Sequence, residues 1–357
     1  MVRYGELGHR VNALIADGRL SEARDVAEQC IQLLFREEAE GGIEFKLVPA
    51  AEIDTASRSH LRITANGMLR QIICSQEIVS GMFTDRLHAF IAISKLLSTD
   101  AMRPVSTGSL IFDIEDGSNL GEYPRVAFNS AVEQATLVTD SYWYRDRGYE
   151  KLRGDIAANW INWEDRQKIV FWRGSTTGLR RRTPTPGESI TDWSWLQRLQ
   201  LCDVAQRSSW ATELDIGVSN FAQVPEPYLQ EAIKSAGLMR QHRDKIDFLK
   251  YRYIVDIDGN ACAWDGFYSA LLMGACVFKV ESRHGWREWY YDRLRPGEHY
   301  IPVKQDFSDF DEQVRWAFTH EADCAAIGAL GKSVVDAMEY AKEVEACGAA
   351  MARQFKV

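Results

Sequence analysis

The chain contains no apolar run near the ~18 residues that a membrane-spanning helix requires. Its first residues, Met-Val-Arg-Tyr-Gly-Glu-Leu-Gly, have no apolar segment of the kind found in secretory signals, and its last residues are not an ER-retention signal. No Asn-x-Ser/Thr sequon occurs. These absences predict a cytoplasmic protein and leave peripheral contact with the inner face of the cytoplasmic membrane as an open question.

Cysteine motifs and excess positive charge are also absent. The 357 residues include seven cysteines, an odd number, and no Cys-x-x-Cys, so neither a disulfide framework nor a zinc ribbon is indicated. The seven histidines show no His-Glu-x-x-His or comparable metal-ligand spacing. A net charge of −9 argues against a nucleic-acid-binding protein, which would usually be basic.

What the sequence does contain is enough apolar material for two domains. Hydrophobic residues make up 46% of a chain that is long for a single core. Apolar residues recur at helical spacing through residues 6–37, and Asp17 and Gly18 interrupt them, which predicts a helical hairpin. We interpret it as a pair of core helices rather than an oligomer contact. Residues 72–90 are predicted to be mainly helical, and so are residues 308–355.

The segment from Lys168 to Arg182 combines a strand, a loop and arginines. Ile169 to Trp172 form a short apolar run that favours a strand, and a loop rich in glycine, serine and threonine follows. Glycine lets the backbone approach an anion closely, and arginine presents N–H donors that match phosphate. A Walker pattern is absent, because no Gly-Lys-Ser or Gly-Lys-Thr occurs. The segment indicates an anion-binding loop, with an ordinary turn and solvated arginines as the alternative.

A second segment, from Lys250 to Asn260, predicts another strand that ends in a turn. Alternate positions along it are apolar or aromatic, and Asp-Gly-Asn ends it. Residues 264–273 then predict a short helix, and residues 275–280 and 299–303 predict further strands. A strand–helix–strand series is typical of a parallel sheet covered by helices, so the predicted fold class is α/β.

Four segments, WRGSTTG, KYRYIVDIDGN, GACVFKVES and YYDRLRPGEHYIPVK, resemble in the same order glycosyltransferase family 90, which contains protein O-glucosyltransferases and a fungal capsule-associated xylosyltransferase. The resemblance covers residues 105–310 and implies a GT-B fold. Such a fold has two Rossmann-like domains facing a cleft and a C-terminal helix that crosses back to the first domain. The expected division is 1–165 for the acceptor side, 166–310 for the donor side and 311–357 for the returning helices.

The resemblance also implies an activity. It is the inverting transfer of a sugar such as glucose or xylose from a UDP-sugar to a hydroxyl, without a metal or other cofactor. Eukaryotic relatives act in the secretory pathway, whereas this chain fits a reducing cytosol, so we expect a bacterial member. The expected acceptor is then a glycan or glycolipid of the cell surface, such as lipopolysaccharide or capsule. The oligomeric state stays open.

The expected donor-site residues follow from matching positions. Ser175 and Arg181 match the family's diphosphate-binding serine and arginine, with Arg180 as the alternative arginine. The remaining donor-site candidates are Arg173, Gly174, Thr176, Gly259, Asn260, Trp264, Gly266, Phe267 and Glu281. Where glucosyltransferases carry Phe-Arg-Phe, this chain has Trp-Asp-Gly-Phe at 264–267, so one phosphate-binding arginine of the family is missing. The arginines after residue 172, or the free N–H groups of a helix N-terminus, are expected to compensate.

An inverting transfer also needs a general base to take the proton of the acceptor hydroxyl. Residues 110–117 predict a strand that ends in acids, and the family's base corresponds to Asp116 there. Asp113 and Glu115 are the neighbouring carboxylates. The structural alternative for Asp116 is a turn former before Gly117, a common role for aspartate.

Two further features leave alternatives open. Asp256 and Asp258 have the Asp-x-Asp spelling of metal-dependent transferases, and residues at this spacing share one face of a strand. Asp140, Tyr142 and Trp143 are candidates for contacts with the acceptor, although aromatic residues more often fill a core. The alternatives to a metal-independent transferase are therefore a metal-dependent enzyme using the Asp-x-Asp pair and a nucleotide-sugar-binding protein without catalysis.

Overall fold

The computed structural model describes residues 3–39, 41–53, 59–80, 83–117 and 125–355. The helices are α1 (Arg3–Ala16), α2 (Leu20–Glu38), α3 (Phe83–Leu97), α4 (Ser141–Arg145), α5 (Glu150–Ala158), α6 (Gln197–Arg207), α7 (Pro227–Ser235), α8 (Asp265–Leu272), α9 (Phe310–Thr319), α10 (Glu321–Asp336) and α11 (Tyr340–Ala352). The strands are β1 (Ile43–Val48), β2 (His60–Asn66), β3 (Leu69–Ser75), β4 (Thr107–Asp113), β5 (Arg125–Ala127), β6 (Asn129–Ser130), β7 (Thr136–Leu137), β8 (Gln167–Ser175), β9 (Leu214–Asn220), β10 (Tyr251–Asp256), β11 (Cys276–Val280), β12 (Arg287–Glu288) and β13 (Ile301–Val303). The predicted α/β class is confirmed.

The elements form two compact units. The first comprises residues 1–149, 286–289 and 338–357, and the second comprises residues 150–285 and 290–337. Helices α9 and α10, which we expected among the returning C-terminal helices, therefore stay with the second unit. Of the expected C-terminal segment 311–357, only residues 338–357, which include α11, belong to the first unit.

The first unit is built on a six-stranded mixed sheet in the order β1-β3-β2-β4-β5-β7. β2 runs antiparallel to both of its neighbours, and the other pairs are parallel. The prediction of a helix over 72–90 with some strand before it holds from Phe83 onwards, where α3 begins, but it is wrong at its start, because β3 extends to Ser75. Ile72 and Cys74 of β3 are fully buried, so pairing within the sheet outweighs their fit to a helical pattern.

Helices α1 and α2 form the predicted hairpin in the first unit. Gly18 between them has a φ of +73°, a backbone conformation that glycine adopts without the strain of a side chain. At the other end of the chain, α11 packs within the same unit. The backbone N–H of Thr139 donates to Cys347 Sγ at 3.4 Å, and Gly348 lies so close to Thr99 that a Cβ there would be 2.1 Å from the Thr99 hydroxyl.

The second unit is built on a five-stranded parallel sheet in the order β13-β11-β10-β8-β9. Both faces of its central strands are covered. Phe171 on one face stacks on Tyr251 with ring centroids 4.1 Å apart, whereas Val170 and Trp172 join the core shared with α6 and α7 on the other face. In a parallel sheet all carboxyl ends lie at one edge, which is where ligands bind in open α/β folds.

Helix length and hydropathy also bear on membrane insertion. Among the residues that the structure describes, no helix is both long and apolar enough to cross a bilayer.

Candidate functional site

The loop that follows β8 is closed by its own side chains. Ser175 Oγ donates to Thr177 Oγ1 at 3.2 Å, so the two hydroxyls lie side by side at the carboxyl end of the strand. Both side chains are only partly buried. Ser175 is the last residue of β8, and its role in an anion-binding loop stays a prediction.

Arg198 on α6 ties this loop to the loop after β10. Its Nε donates to the Asp258 carbonyl at 2.9 Å, and Nη2 donates to the Ile257 carbonyl at 3.3 Å. Its Nη1 donates to the Ser175 carbonyl at 3.3 Å and to Thr177 Oγ1 at 2.5 Å. Our sequence reasoning missed this residue, because it sits in an ordinary helical segment with no motif around it.

The charge of Arg198 is held in a buried position. Burial lowers its pKa to about 10, while the charges of Asp256 and Asp258 act in the opposite direction. The guanidinium therefore remains a cation at neutral pH. Gly259 makes room for it, because a Cβ at that position would lie 3.0 Å from Arg198 Nη2 and 3.1 Å from Thr177 Oγ1.

The three consecutive arginines have different surroundings. Arg180 is bound to Glu226, with Nη1 at 2.8 Å from Oε1, and this contact lowers the pKa of Glu226. Arg182 pairs with Glu188 at 2.7 Å. Arg181 is exposed and has no carboxylate partner among the described residues, while its backbone N–H donates to the Trp195 carbonyl at 2.9 Å. Of the three, Arg181 is the one whose guanidinium is available to an anion.

Arg283 follows β11 at the same edge of the sheet and was not among the predicted site residues. Gln200 on α6 accepts a hydrogen bond from Arg283 Nη2. The Nε of Arg283 is buried and has no hydrogen-bond partner among the described residues. Burial and the nearby charge of Arg181 lower the pKa of Arg283 to about 10. Two guanidinium groups that repel each other and lack a carboxylate are the arrangement that an anionic ligand would stabilise.

A buried ion cluster lies at the ends of β10 and β11. Lys279 Nζ is 2.5 Å from Asp256 Oδ2 and 3.8 Å from Asp258 Oδ1. Burial alone would lower the pKa of Lys279, but the charges of Asp256 and Asp258 outweigh it and raise that pKa. Burial raises the pKa of Asp258 against the opposing charge of Lys279. The Asp-x-Asp pair is thus occupied by a cation of the chain itself.

The 259–267 segment links this cluster to α8. Gly259 and Asn260 are half-buried just beyond the strand, and Trp264 precedes α8 with a positive φ of +49°, which is strained for a residue with a side chain. A Cβ on Gly266 would lie 3.3 Å from Asp256 Oδ1, so the glycine lets α8 approach the carboxylate closely. Phe267 is buried and packs edge-on against the Tyr291 and Tyr300 rings, which makes it a packing residue rather than a surface for the donor.

Two predicted donor-site residues are used elsewhere. Arg173 binds Asp215 with Nη2 at 2.5 Å and lies over the Phe171 ring, on the face of β8 opposite to Trp172. The Thr176 hydroxyl donates to the Ala222 carbonyl at 2.7 Å and accepts from the Ala222 N–H at 2.8 Å. We therefore correct the assignment of both residues to the donor site, since their polar groups are already bound by the protein.

The other predicted positions of the second unit lie near strand ends. Gly174 is the residue before Ser175 in β8, where a Cβ would collide with the Trp172 ring at 2.5 Å. Glu281 directly follows β11; its N–H donates to the Val303 carbonyl at 2.8 Å and its side chain is exposed.

In the first unit, β4 ends at Asp113, and Asp116 lies three residues beyond it with an exposed side chain. Asp113 itself is buried against His60, with Oδ2 3.2 Å from His60 Nε2. Glu115 accepts a hydrogen bond from the Ser59 hydroxyl. Of the three acids, Asp116 is the one with the most solvent-exposed residue surface.

The predicted acceptor residues of the first unit serve the fold. Asp140 is buried and caps α4, with Oδ1 accepting the Trp143 N–H at 2.9 Å, and Tyr149 also donates to it at 3.2 Å. Trp143 is fully buried and stacks on Tyr340. Tyr142 is half-buried beneath the Arg145 guanidinium, 4.4 Å from its ring centroid. We correct the assignment of Asp140 and Trp143, because both side chains are buried and contact other groups of the protein.

Three-ligand metal sites were sought throughout the part of the chain that the structure describes. No group of three or more histidine, cysteine, aspartate or glutamate side chains there could hold a metal ion.

Known proteins resemble this chain over large segments. Protein O-glucosyltransferase 3 of Homo sapiens is 24% identical over 263 residues, covering 67% of this chain and 46% of the relative. Protein O-glucosyltransferase 2 of Danio rerio is 29% identical over 171 residues, covering 48% of this chain and 29% of the relative. The chain thus spans less than half the length of either relative.

Structural similarity was found to the crystal structure of Anabaena HepE in complex with UDP and glucose. The TM-score is 0.32 at 11% sequence identity, and the match covers 56% of this chain and 50% of HepE.

The sequence model of the family described as "Glycosyl transferase family 90" matches residues 145–345, more than half of the chain. That span includes β8, Arg198, the Asp256–Lys279 cluster and Arg283. The chain therefore belongs to glycosyl transferase family 90.

Proposed function

We propose that this protein is an inverting, GT-B-type glycosyltransferase that uses a UDP-sugar as donor. Family membership supports a sugar transferase, and the names of the relatives, protein O-glucosyltransferases, support a hexose donor such as glucose. Xylose is the alternative donor sugar, because the family resemblance includes a xylosyltransferase. The reaction would join the sugar to a hydroxyl and release UDP.

The observation that carries the proposal is the cationic edge of the second unit. Arg198 supplies a buried charge between the loops after β8 and β10, while Arg181 and Arg283 supply guanidinium groups without carboxylate partners among the described residues. Negative charge develops on the diphosphate as UDP departs, and preorganised cations stabilise that charge without rearranging during the reaction. Arg283 and Arg198 are also cations that could compensate for the arginine of the family's Phe-Arg-Phe unit, which this chain lacks.

Asp116 is the proposed general base. Asp116 is exposed beyond β4, whereas Glu115 is only partly exposed and Asp113 is buried. An accessible carboxylate can accept the proton of an acceptor hydroxyl as that oxygen attacks the anomeric carbon. Attack by the acceptor in a single step inverts the configuration at that carbon.

The proposed acceptor is a hydroxyl of a cell-surface glycan or glycolipid, such as lipopolysaccharide or capsule. This proposal rests on the family resemblance together with the cysteine usage, since all seven cysteines are buried thiols rather than disulfide partners. We further propose that the reaction needs no metal ion and takes place in the cytoplasm.

UDP binding tests the donor site directly by isothermal titration calorimetry. Arg181→Ala and Arg283→Ala should each weaken UDP binding by ~1.5–3 kcal/mol, the size of a charge-assisted hydrogen bond. Arg182→Ala is the matched control, because its guanidinium is paired with Glu188, and its UDP affinity should equal that of the wild type. Unchanged affinity in both test variants would refute this donor site.

Transfer assays with and without EDTA test the metal proposal. We expect equal rates, because the leaving diphosphate is stabilised by protein cations rather than by a bound ion. An activity that EDTA abolishes and Mn²⁺ restores would instead favour a metal-dependent enzyme, and UDP-sugar binding without any transfer would favour the non-catalytic binding protein.

A further inference from the structure

The Asp256–Asp258 pair of the second unit has the carboxylate ligands that a metal site uses, but a side chain of the protein lies beside it instead of a metal ion. Two carboxylates at this spacing, together with the oxygens of a diphosphate, form the usual setting for Mg²⁺ or Mn²⁺ in phosphate-transferring enzymes. In this chain the space beside the pair is filled by Lys279. β10 and β11 pair in parallel with Asp256 opposite Lys279, so both side chains leave the sheet on the same face.

The contacts of Lys279 fix its ammonium in that place. Nζ lies 2.5 Å from Asp256 Oδ2 and 3.8 Å from Asp258 Oδ1, and the rings of Phe267 and Tyr291 lie 5.0 and 5.1 Å from it. All three charged residues are more than nine-tenths buried. A lysine so enclosed by carboxylates and aromatic faces stays charged and cannot exchange with solvent ions.

The carboxylate of Asp258 is not fully hydrogen-bonded within the cluster. Among the described residues no donor meets hydrogen-bond geometry at either carboxylate oxygen, although the side chain is only 7% exposed. The nearby Ser282 hydroxyl and the charge of Lys279 favour its ionised form and oppose the effect of burial on its pKa. A buried carboxylate with unused oxygens is costly unless a cation or donor approaches it. Lys279, at 3.8 Å, is such a cation, and it serves both aspartates at once.

We propose that Lys279 is the resident cation of this site: its ammonium takes the place between Asp256 and Asp258 that a divalent metal ion would otherwise occupy. The lysine neutralises carboxylates that would repel a diphosphate, and it excludes metal by occupancy. A single residue, Lys279, thereby accounts for a transfer reaction that needs no metal ion. The inference deepens the proposed function and rests on it only for the nature of the anion, because metal binding can be measured without any transfer.

The test is Mn²⁺ binding to the full chain, followed by the electron paramagnetic resonance signal of free Mn²⁺, with and without UDP. The wild type should bind no Mn²⁺ at this pair. Lys279→Met removes the charge and keeps an unbranched side chain, and it should bind Mn²⁺ at least about tenfold more tightly than the wild type, more so with UDP, because two carboxylates and the phosphates then remain as ligands. Lys279→Arg retains a cation and should not gain Mn²⁺ binding.

The double variant Lys279→Met/Asp258→Asn is the control for location, and it should lose the gain. If Lys279→Met is unfolded in metal-free buffer, Mn²⁺ should restore a cooperative thermal transition, since a ligand that binds the native state stabilises it. The proposal is overturned if folded Lys279→Met gains no Mn²⁺ binding, if Mn²⁺ fails to restore an unfolded variant, or if the wild type binds Mn²⁺ in a way that Asp258→Asn abolishes. Failure of the wild type to bind UDP would refute the proposed function alone, because the Mn²⁺ titrations without UDP still decide whether Lys279 replaces a metal ion.

Discussion

Both units end a central strand with an aspartate that faces a basic side chain of the neighbouring strand, yet the two pairs differ in kind. In the first unit, Asp113 of β4 meets His60 of β2, and in the second unit, Asp256 of β10 meets Lys279 of β11. An imidazole can make such a contact as a neutral donor, whereas an ammonium makes it as a fixed charge.

The difference shows how each unit treats its acidic strand end. The first unit buries Asp113 with a histidine and leaves Asp116, three residues further on, exposed to solvent. The second unit encloses Asp256 and Asp258 beside Lys279, and the charges of both aspartates also act on the buried Arg198. The exposed position suits the proposed role of Asp116 as a base, whereas the enclosed carboxylates of Asp256 and Asp258 hold the cationic side chain of Lys279.

The largest expected effect is on the exposed acid. Asp116→Asn keeps the size of the side chain but cannot accept the proton, so transfer should fall by ~10²–10⁴ while UDP affinity stays nearly unchanged. Transfer rates and calorimetric UDP titrations measure the two properties separately. Glu115→Gln and Asp113→Asn are the controls. If Asp116→Asn keeps near wild-type transfer and Glu115→Gln is inactive, the general base is Glu115 and not Asp116.

The next effect concerns stability and contrasts the two buried pairs. Asp256→Asn leaves the buried Lys279 without its closest countercharge and should cost ~3–5 kcal/mol, the usual result of breaking a buried ion pair. Asp113→Asn leaves His60 with a neutral amide as partner and should cost only ~1–3 kcal/mol, as for a buried hydrogen-bonding group that loses a good partner. Urea denaturation of both variants measures the difference, and equal losses would remove the distinction between the pairs.

The smallest effect concerns the space around Arg198. Gly259→Ala places a Cβ 3.0 Å from Arg198 Nη2, so the guanidinium must shift, and UDP affinity should fall by about 1 kcal/mol, the net value of one hydrogen bond. Gly154→Ala, inside α5 with nothing within 4 Å of the added Cβ, is the matched control. It should stabilise the protein by up to ~1 kcal/mol and leave UDP binding unchanged. Identical UDP titrations for the two variants would count against the close approach at residue 259.

The sequence predicted the parts of the fold whose patterns are local. The α1–α2 hairpin follows from helical periodicity, and β8, β10 and β11 follow from short apolar runs that end in polar or glycine-containing turns. β3 was mistaken for the start of a helix, because its apolar residues fit either period and only its pairing with β1 and β2 decides between them.

The sequence suggested candidate site residues only where a family motif or a strand end marks them. Ser175 and Arg181 were assigned to the donor site from matching positions of the family, and this assignment stays a prediction. Arg198 gave no such signal, since it donates to the carbonyl of Asp258, 60 residues away. Arg173 was a misleading neighbour of the loop. Strand alternation puts it on the same face as Phe171, away from the Trp172 ring that Arg198 overlies, and that signal was available in the sequence.

The hydrogen bonds of Arg198 have a consequence for the energetics of nucleotide binding. Its Nε, Nη1 and Nη2 donate to the carbonyls of Ser175, Ile257 and Asp258 and to the Thr177 hydroxyl, which uses four of the five N–H groups of an arginine. The two loops are therefore ordered when the chain folds, before any ligand arrives. Binding should then lose little conformational entropy, and amide hydrogen exchange in both loops should already be slow in the unliganded protein.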